Sequence, residues 1–134
     1  MQNIWVLSED GTVLCRKGYD IKLEESLFRK FITALYQIVQ EFTDGHLTNF
    51  RFNTIRFTVF KKCRFLFVGS TLSKRERKSL RRLEQFVTLF FNRFTFEIIH
   101  QWDGNLSLFS AFNEEINRPK AETISEYIES LWGH

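Results

Sequence analysis

Two segments of the sequence, 4–7 and 65–68, are apolar without interruption, and they limit the folds that this chain can adopt. They read Ile-Trp-Val-Leu and Phe-Leu-Phe-Val. Because successive side chains of a strand point to opposite faces, each segment would present apolar side chains on both faces. Strands of this kind are typical of sheets that are covered on both sides. The sequence therefore predicts a sheet with these two segments in its middle and helices on both faces.

A hairpin is predicted directly after the first of these segments. Asp10-Gly11 supplies the positive φ that a tight turn needs, and residues 12–17 return as a second strand. The period of two predicts that Leu14 and Cys15 face opposite sides of the sheet. Further along, residues 49–71 predict two or three consecutive strands joined by tight turns.

Two long helices are predicted at residues 23–42 and 73–94, where apolar residues recur at intervals of three and four. Ser73 and Glu76 form a capping box, which is a start signal for the second helix. We expect the apolar stripe of each helix to face the sheet. The first stripe comprises Leu27, Phe28, Phe31, Ile32, Leu35, Ile38, Val39 and Phe42, and the second comprises Leu80, Leu83, Phe86, Val87, Phe90, Phe91 and Phe94.

The sequence is less regular after the second helix. Segment 95–104 is compatible with a continued helix, a strand or an extended connection. Asn105 can cap a shorter helix, and Pro119 is suited to the first turn of a last one. The sequence thus predicts one domain over 1–117 and an appended helix over 118–134, packed on or next to it. The apolar stripe of this last helix comprises Ile124, Tyr127, Ile128, Leu131 and Trp132.

The composition is that of an ordinary globular chain, and its length of 134 residues suits one domain. Cys15 and Cys63 are predicted to be two buried thiols in a reducing compartment, with a single disulfide as the alternative. Neither an N-terminal signal pattern nor an apolar run of about 20 residues occurs. We therefore expect a cytoplasmic protein whose contact with a membrane, where it exists, is peripheral.

The sequence contains no recognisable catalytic or metal-binding constellation. His46, His100 and His134 have no cysteine or carboxylate at metal-ligand spacing. The glycine motifs that bind phosphate, G-x-x-x-x-G-K-[ST] and G-x-G-x-x-G, do not occur, and no serine lies in a nucleophile-elbow pattern. We expect a protein without enzymatic activity, metal or cofactor.

A basic segment opens the second predicted helix, with six cations and one carboxylate between residues 74 and 82. Cations near a helix N-terminus oppose the helix dipole, so such a sequence can be retained for a partner. The simpler interpretation is the solvated face of an amphipathic helix. The functional interpretation is a patch for an anionic partner, with lipid headgroups or an acidic protein ahead of nucleic acid. The patch comprises Lys74, Arg75, Arg77, Lys78, Arg81 and Arg82.

Nucleic acid is the rival interpretation of the basic character. Arg51, Arg56 and Arg64 alternate with aromatic residues, as in sheets that stack bases. Against this, phenylalanine-rich strands are more often part of a core, and no K/R-G-F-x-F signature occurs. The net charge of +3 is also small for a phosphate binder. We therefore do not expect nucleic acid to be the partner.

The order of elements and four segments of the chain resemble the longin-like domains of membrane-trafficking proteins. The segments are IWVLSEDGTVLCRKG, LFRKFITALYQIVQEF, RFTVFKKCRFLFVGS and LEQFVTLFFNRF, and the resemblance covers about residues 3–117. It extends to adaptor small subunits and sedlin-type tethering subunits. Roadblock domains share the core but usually begin with a helix, whereas this chain begins with a strand.

The resemblance implies an α+β fold with a five-stranded antiparallel sheet, one helix on one face and two on the other. It also implies a non-enzymatic scaffold that binds a small GTPase or a sister longin or roadblock subunit, with a homodimer as a further alternative. Contact with an anionic membrane is the alternative that the basic segment 74–82 suggests. The expected surface is the polar side of the first helix together with an exposed edge strand at 46–53. For each charged residue at that edge, the simpler role is to prevent unwanted pairing. The expected partner-binding residues are Arg29, Lys30, Thr33, Gln37, Gln40, Thr48, Phe50 and Arg51.

Overall fold

A computed structural model describes residues 3–18, 25–52, 55–71 and 76–117 of the chain. The predicted capping box at Ser73 and the predicted last helix, 118–134, lie outside the described residues. The strands are β1 (Asn3–Leu7), β2 (Val13–Gly18), β3 (Leu47–Phe52), β4 (Ile55–Lys62) and β5 (Phe65–Thr71). The helices are α1 (Glu25–Tyr36), α2 (Glu76–Arg93), α3 (Phe96–His100) and α4 (Ser110–Ile116), with 3₁₀ helices at Val39–Glu41 and Leu106–Phe109.

The five strands form one antiparallel sheet in the order β2-β1-β5-β4-β3. This confirms the predicted α+β fold class and the five-stranded antiparallel sheet. The two uninterrupted apolar segments lie in β1 and β5, which are adjacent and interior, as predicted. Every residue of both strands is buried. The outermost strands among the described residues are β2 and β3.

One face of the sheet packs against α1. Trp5 of β1 and Leu66 of β5 lie in one buried cluster with Phe31 of α1. The ring of Phe31 stacks on Phe57 of β4 with 3.8 Å between centroids, and Trp5 stacks on Phe28 at 4.4 Å. These contacts place α1 over the three inner strands, β1, β5 and β4. The buried cluster on this face contains no residue of β2.

The other face packs against α2 and α4 through a dense group of phenylalanines. The ring centroid of Phe90 lies 5.3 Å from those of Phe65 and Phe67 in β5. It also lies 5.0 Å from Phe94 and 5.9 Å from Phe112 of α4. Aromatic pairs of this kind contribute about 0.5–1.5 kcal/mol each beyond their buried area. The phenylalanines of this group therefore form the core between the sheet and the helices α2 and α4.

A β-bulge in β2 overturns the predicted alternation of Leu14 and Cys15. Val6 pairs with Cys15 but Leu7 pairs with Val13, so Leu14 is an extra residue opposite β1. As a result, Leu14 and Cys15 lie in the same buried cluster, on the side of α2 and α4. The prediction that they face opposite sides was wrong, because the extra residue of the bulge interrupts the alternation of side chains between the two faces.

The first helix is shorter than predicted. α1 ends at Tyr36, and the chain continues through bonds from Gln37 N–H to the Ala34 carbonyl and from Ile38 N–H to the Leu35 carbonyl. Such bonds to the third preceding residue tighten the last turn and rotate the following side chains. Ile38 is consequently exposed, although the helical stripe predicted it to be buried.

Segment 95–104, which the sequence left open, contains a short helix. The Thr95 hydroxyl accepts a hydrogen bond from Ile98 N–H at 3.4 Å and caps α3. Trp102 follows, and its indole N–H donates to the Asn105 carbonyl at 2.9 Å while its ring lies 5.1 Å from Phe109. The predicted cap at Asn105 is confirmed, since its side chain accepts from Ser107 N–H at the start of the next 3₁₀ helix.

Candidate interaction surfaces

The polar side of α1 is exposed, as its helical spacing predicts. Arg29, Lys30, Thr33, Gln37 and Gln40 all have exposed side chains. The Thr33 hydroxyl donates to the Arg29 carbonyl at 2.9 Å, a bond within the helix. Because these side chains are exposed, a partner could reach them.

Strand β3 is one of the two outer strands of the sheet, and among the described residues it pairs only with β4. Lys61 N–H donates to the His46 carbonyl at 2.9 Å, which identifies that pair as hydrogen bonded. In an antiparallel ladder, hydrogen-bonded and non-hydrogen-bonded pairs alternate. The backbone N–H and C=O groups of Leu47, Asn49 and Arg51 therefore point away from β4. This open row of groups is a template for one more strand.

The side chains of β3 divide between the two faces of the sheet. Phe50 is half-buried and lies 6.4 Å from both Phe31 and Phe42, so it contributes to the cluster under α1. Thr48 is half-buried, whereas Arg51 and Leu47 are exposed, Leu47 to 45%. Of the side chains predicted to bind a partner on this strand, Arg51 is the accessible one, and Leu47 was not among them.

The opposite edge, β2, is closed near its middle by α4. Arg16 N–H donates to the Asn113 side-chain oxygen at 3.0 Å, and the Asn117 side-chain amide donates to the Arg16 carbonyl. The two asparagines are one helical turn apart and occupy the groups that an additional strand would use. The bidentate pair between Arg93 of α2 and Glu115, with N–O distances of 3.0 and 3.1 Å, ties α4 to α2.

A cleft of about 440 Å³ lies between α1 and β2, on the same face of the sheet as α1 but beside that helix. Its lining is mainly apolar and includes Val13, which is 43% exposed. Two guanidinium groups, those of Arg16 and Arg29, also line it, and Arg16 lies 6.0 Å from the ring of Trp5. No carboxylate is among the described lining residues, which are Trp5, Gly11, Val13, Arg16, Phe28, Arg29, Ile32 and Thr33.

The predicted partner-binding residues of α1 and β3 do not form one continuous surface. Arg29 and Thr33 line the side of α1 that faces β2, whereas Thr48 and Arg51 belong to β3 at the far edge of the sheet. Four strand spacings, about 19 Å, separate β2 from β3. Arg29 and Thr33 thus lie at the cleft, and Thr48 and Arg51 lie on the open edge strand.

The hairpin between β1 and β2 is held against α1 by a tyrosine. The Tyr36 hydroxyl donates to the Ser8 carbonyl at 3.1 Å. Its ring packs against Gly11, which has φ of +91°, and a Cβ at that position would lie 2.5 Å from a ring carbon. Burial raises the pKa of the Tyr36 phenol, and the nearby carboxylates of Asp10 and Glu9 raise it further. Only glycine meets both the steric and the conformational requirement at this position.

The basic segment is described only in part. Arg81 and Arg82 have exposed side chains on α2. This agrees with a solvated helix face and leaves the anionic-partner interpretation a prediction. The remaining cations, whose side chains fall outside the described part of the chain, are Lys74, Arg75, Arg77 and Lys78.

The titratable groups of the described residues are dispersed. Within 3–18, 25–52, 55–71 and 76–117, no group of three or more His, Cys, Asp or Glu is placed to hold a metal ion. Cys15 and Cys63 are both free thiols, the first buried as predicted and the second only half-buried. Burial raises the pKa of the Cys15 thiol to about 12. The exposed imidazole of His46 stacks on Phe42 with 4.3 Å between ring centroids.

Two features were missed by sequence reasoning. The amides of Asn113 and Asn117 are four residues apart and so share one face of a helix, but nothing in the sequence relates them to Arg16, 97 residues from Asn113. The cleft was missed because helical spacing shows which residues of α1 are buried and not which strands they cover.

None of the helices in the described ranges combines the length and apolar character that a membrane crossing requires. Comparison of the sequence with protein-family models gave no match, and comparison with curated proteins gave none either.

Proposed function

We propose that this chain is a non-enzymatic protein-interaction module of the longin type, acting in the cytoplasm in membrane trafficking or GTPase regulation. Its partner would be a small GTPase or a sister longin or roadblock subunit, or a second copy of the chain. The observation that carries the proposal is the open backbone edge of β3. Exposed edges of this kind are used in proteins to add a strand from a partner.

The chemistry of the β3 edge suits strand addition. Leu47, Asn49 and Arg51 each offer an outward N–H and C=O, and each bond formed to them would contribute about 1 kcal/mol net. The exposed Leu47 side chain supplies apolar contact beside those bonds. Arg51 is the only charged residue of the strand, so it would select for a partner with negative charge next to its pairing strand.

The test removes one outward N–H without removing a bond to β4. Leu47→Pro does this, because proline lacks the N–H and is tolerated at the first residue of an edge strand. Leu47→Ala is the matched control, which loses the same apolar side chain but keeps the N–H. Both variants would be titrated by calorimetry against a panel of small GTPases in both nucleotide states and against longin and roadblock domains, with light scattering for self-association.

We expect Leu47→Pro to weaken binding at least tenfold and Leu47→Ala less than threefold, with both variants folded by circular dichroism. Arg51→Glu should weaken binding too. Thr33→Arg alters the cleft on the other side of α1 and should leave binding at β3 unchanged. Equal affinities for the wild type and Leu47→Pro would refute the β3 edge as the binding surface, and loss of binding in Thr33→Arg alone would assign it to the cleft.

A further inference from the structure

We propose that the strand which β3 accepts from its partner carries a carboxylate side chain opposite Arg51 and an apolar side chain opposite Phe50. The inference rests on the proposed function, since it specifies the partner segment that pairs with the open edge of β3. The two requirements belong to different faces of the sheet, because successive side chains of a strand point to opposite faces.

The carboxylate requirement belongs to the face that packs against α2. Leu47 pairs with Phe60, and Phe60 packs against the buried cluster under α2 and α4. Residues directly opposite each other in an antiparallel pair lie on one face, and the period of two adds Asn49 and Arg51 to the face of Leu47. The Asn49 side-chain oxygen accordingly accepts a hydrogen bond from the Thr58 hydroxyl of β4 at 2.7 Å. A residue that pairs with Arg51 from outside the sheet would place its side chain beside that of Arg51 on this face.

Two arginines are paired at one end of this row. Arg51 is exposed, and its partner across the ladder is Arg56 of β4, which is half-buried. By the alternation from the hydrogen-bonded pair of His46 and Lys61, the two arginines form a non-hydrogen-bonded pair, in which Cα atoms lie about 4.5 Å apart. Like charges directly opposite each other destabilise a sheet. The residues between the two strands, 53–54, are uncharged in the sequence. This corner of the sheet therefore favours an anionic group from a partner.

Arg51 is the arginine that a partner reaches. Arg56 has an interaction within the chain, whereas Arg51 is exposed on the outer strand. A guanidinium can donate two parallel hydrogen bonds to one carboxylate, and such charge-assisted bonds are about twice as strong as neutral ones. A lysine or arginine in the same place would meet two like charges. Glutamate or aspartate opposite Arg51 is therefore selected by attraction, and basic residues are rejected by repulsion.

The apolar requirement belongs to the face that packs against α1. Phe50 is half-buried, and its ring centroid lies 6.4 Å from those of Phe31 and Phe42. Phe57 of β4 is its neighbour on one side. Because β3 is an outer strand, an added strand would bring a side chain next to Phe50 on the other side. Aromatic and β-branched cross-strand pairs stabilise sheets, so an apolar residue at this place would add to the cluster under α1.

Short peptides test the proposal on the full chain. TEFTVLT, acetylated and amidated, pairs in the antiparallel direction with its Glu opposite Arg51, its Phe opposite Phe50 and its Leu opposite Leu47. TKFTVLT differs only in the charge opposite Arg51, and TESTVLT differs only in the residue opposite Phe50. Affinities would be measured from amide chemical shifts in NMR titrations, which also locate the peptide on the chain. The variants are Arg51→Glu and the matched control Arg81→Glu, which makes the same charge change at an exposed position of α2.

We expect the wild type to bind TEFTVLT about tenfold more tightly than TKFTVLT, with amide shifts centred on Leu47, Asn49 and Arg51. Arg51→Glu should reverse this preference, whereas Arg81→Glu should keep it. TESTVLT should bind about threefold more weakly than TEFTVLT. In about 1 M salt the preference for TEFTVLT over TKFTVLT should fall to about twofold, because salt screens exposed charges.

Equal affinities of the wild type for TEFTVLT and TKFTVLT, or a preference that Arg51→Glu leaves unchanged, would overturn the carboxylate requirement. Equal affinities for TEFTVLT and TESTVLT would overturn the apolar one, and absence of amide shifts at β3 would overturn both. Leu47→Pro distinguishes this inference from the proposed function. Loss of partner binding in Leu47→Pro without any preference among the peptides leaves strand addition standing and refutes the inference, whereas unchanged partner binding refutes the open edge itself.

Discussion

The two outer strands of the sheet, β2 and β3, have the same kind of backbone edge but differ in what the rest of the chain does to it. At β2, Asn113 of α4 and Asn117, which follows this helix, occupy the outward groups of Arg16, and the adjoining bulge directs Leu14 into the core. At β3, no described residue pairs with the outward groups, and Leu47 stays exposed. Side-chain amides thus close the edge of β2 at Arg16. The edge of β3 stays open to the addition of a strand.

The largest difference between the edges should appear when each loses one leucine side chain. Leu14→Ala removes a side chain that is 7% exposed and should lower the free energy of unfolding by about 3 kcal/mol, since core truncations leave a cavity. Leu47→Ala should lower it by less than about 0.5 kcal/mol, as surface substitutions usually do. Urea denaturation of both variants measures this. Similar costs for the two would contradict the burial of the bulge residue.

The turns that lead into the two edges give the next largest difference. Gly11 and Gly45 have φ of +91° and +87°, so alanine at either position costs about 1–2 kcal/mol of backbone strain. At Gly11 the added Cβ also meets the Tyr36 ring, whereas at Gly45 nothing lies within 4 Å. We expect Gly11→Ala to cost about 1 kcal/mol more than Gly45→Ala in thermal unfolding. Tyr36→Ala combined with Gly11→Ala should remove that excess.

Opening the closed edge should have a smaller effect on stability. Asn113→Ala leaves Arg16 N–H without its acceptor and should cost about 1 kcal/mol. Asn92→Ala, at an exposed position of α2, corrects for the change in helix propensity. The sharper measurement is amide hydrogen exchange, in which Arg16 should be slower than Leu47 and Asn49 in the wild type and approach them in Asn113→Ala. Equal exchange of these amides in the wild type would remove the contrast between the edges.

The smallest effect is a pH dependence at β2. Burial raises the pKa of the Cys15 thiol to about 12 from a usual value of 9.0. The neutral thiol is therefore favoured in the folded state, and its contribution is present below about pH 9 and lost as the pH rises toward 12. Between pH 8 and pH 10 the wild type should lose about 1 kcal/mol more than Cys15→Ala, by linkage between ionisation and folding. Parallel pH profiles of the two proteins would show that Cys15 is not held in a buried site.

Much of the fold could be predicted because it depends on patterns within single segments. The uninterrupted apolar segments placed β1 and β5 inside the sheet, and apolar spacing identified the buried face of α2. The bulge could not be predicted, because Leu14 and Cys15 are both apolar enough for either face and only pairing with β1 shows the extra residue. The end of α1 at Tyr36 was missed for a similar reason, since Ile38 continues the helical spacing while its backbone bonds have tightened.

The candidate surfaces were predicted less completely than the fold. Exposure of Arg29, Thr33 and Arg51 followed from their positions opposite apolar residues. Their separation into two surfaces did not follow, because it depends on which strands α1 covers. That position is set by the contacts of Phe28 and Phe31 with rings from β1 and β4, which are distant in sequence.

The placement of two tryptophans has a consequence for spectroscopy. Trp5 lies in the layer under α1, and Trp102 lies beside Phe65 and Phe109 in the layer under α2 and α4. In a variant with both Trp132 and Trp5 replaced by phenylalanine, emission comes from Trp102 and reports the layer under α2 and α4. In a variant with both Trp132 and Trp102 replaced, emission comes from Trp5 and reports the layer under α1. The chain thus carries an intrinsic fluorophore on each side of its sheet, and loosening of either side can be timed without an attached dye.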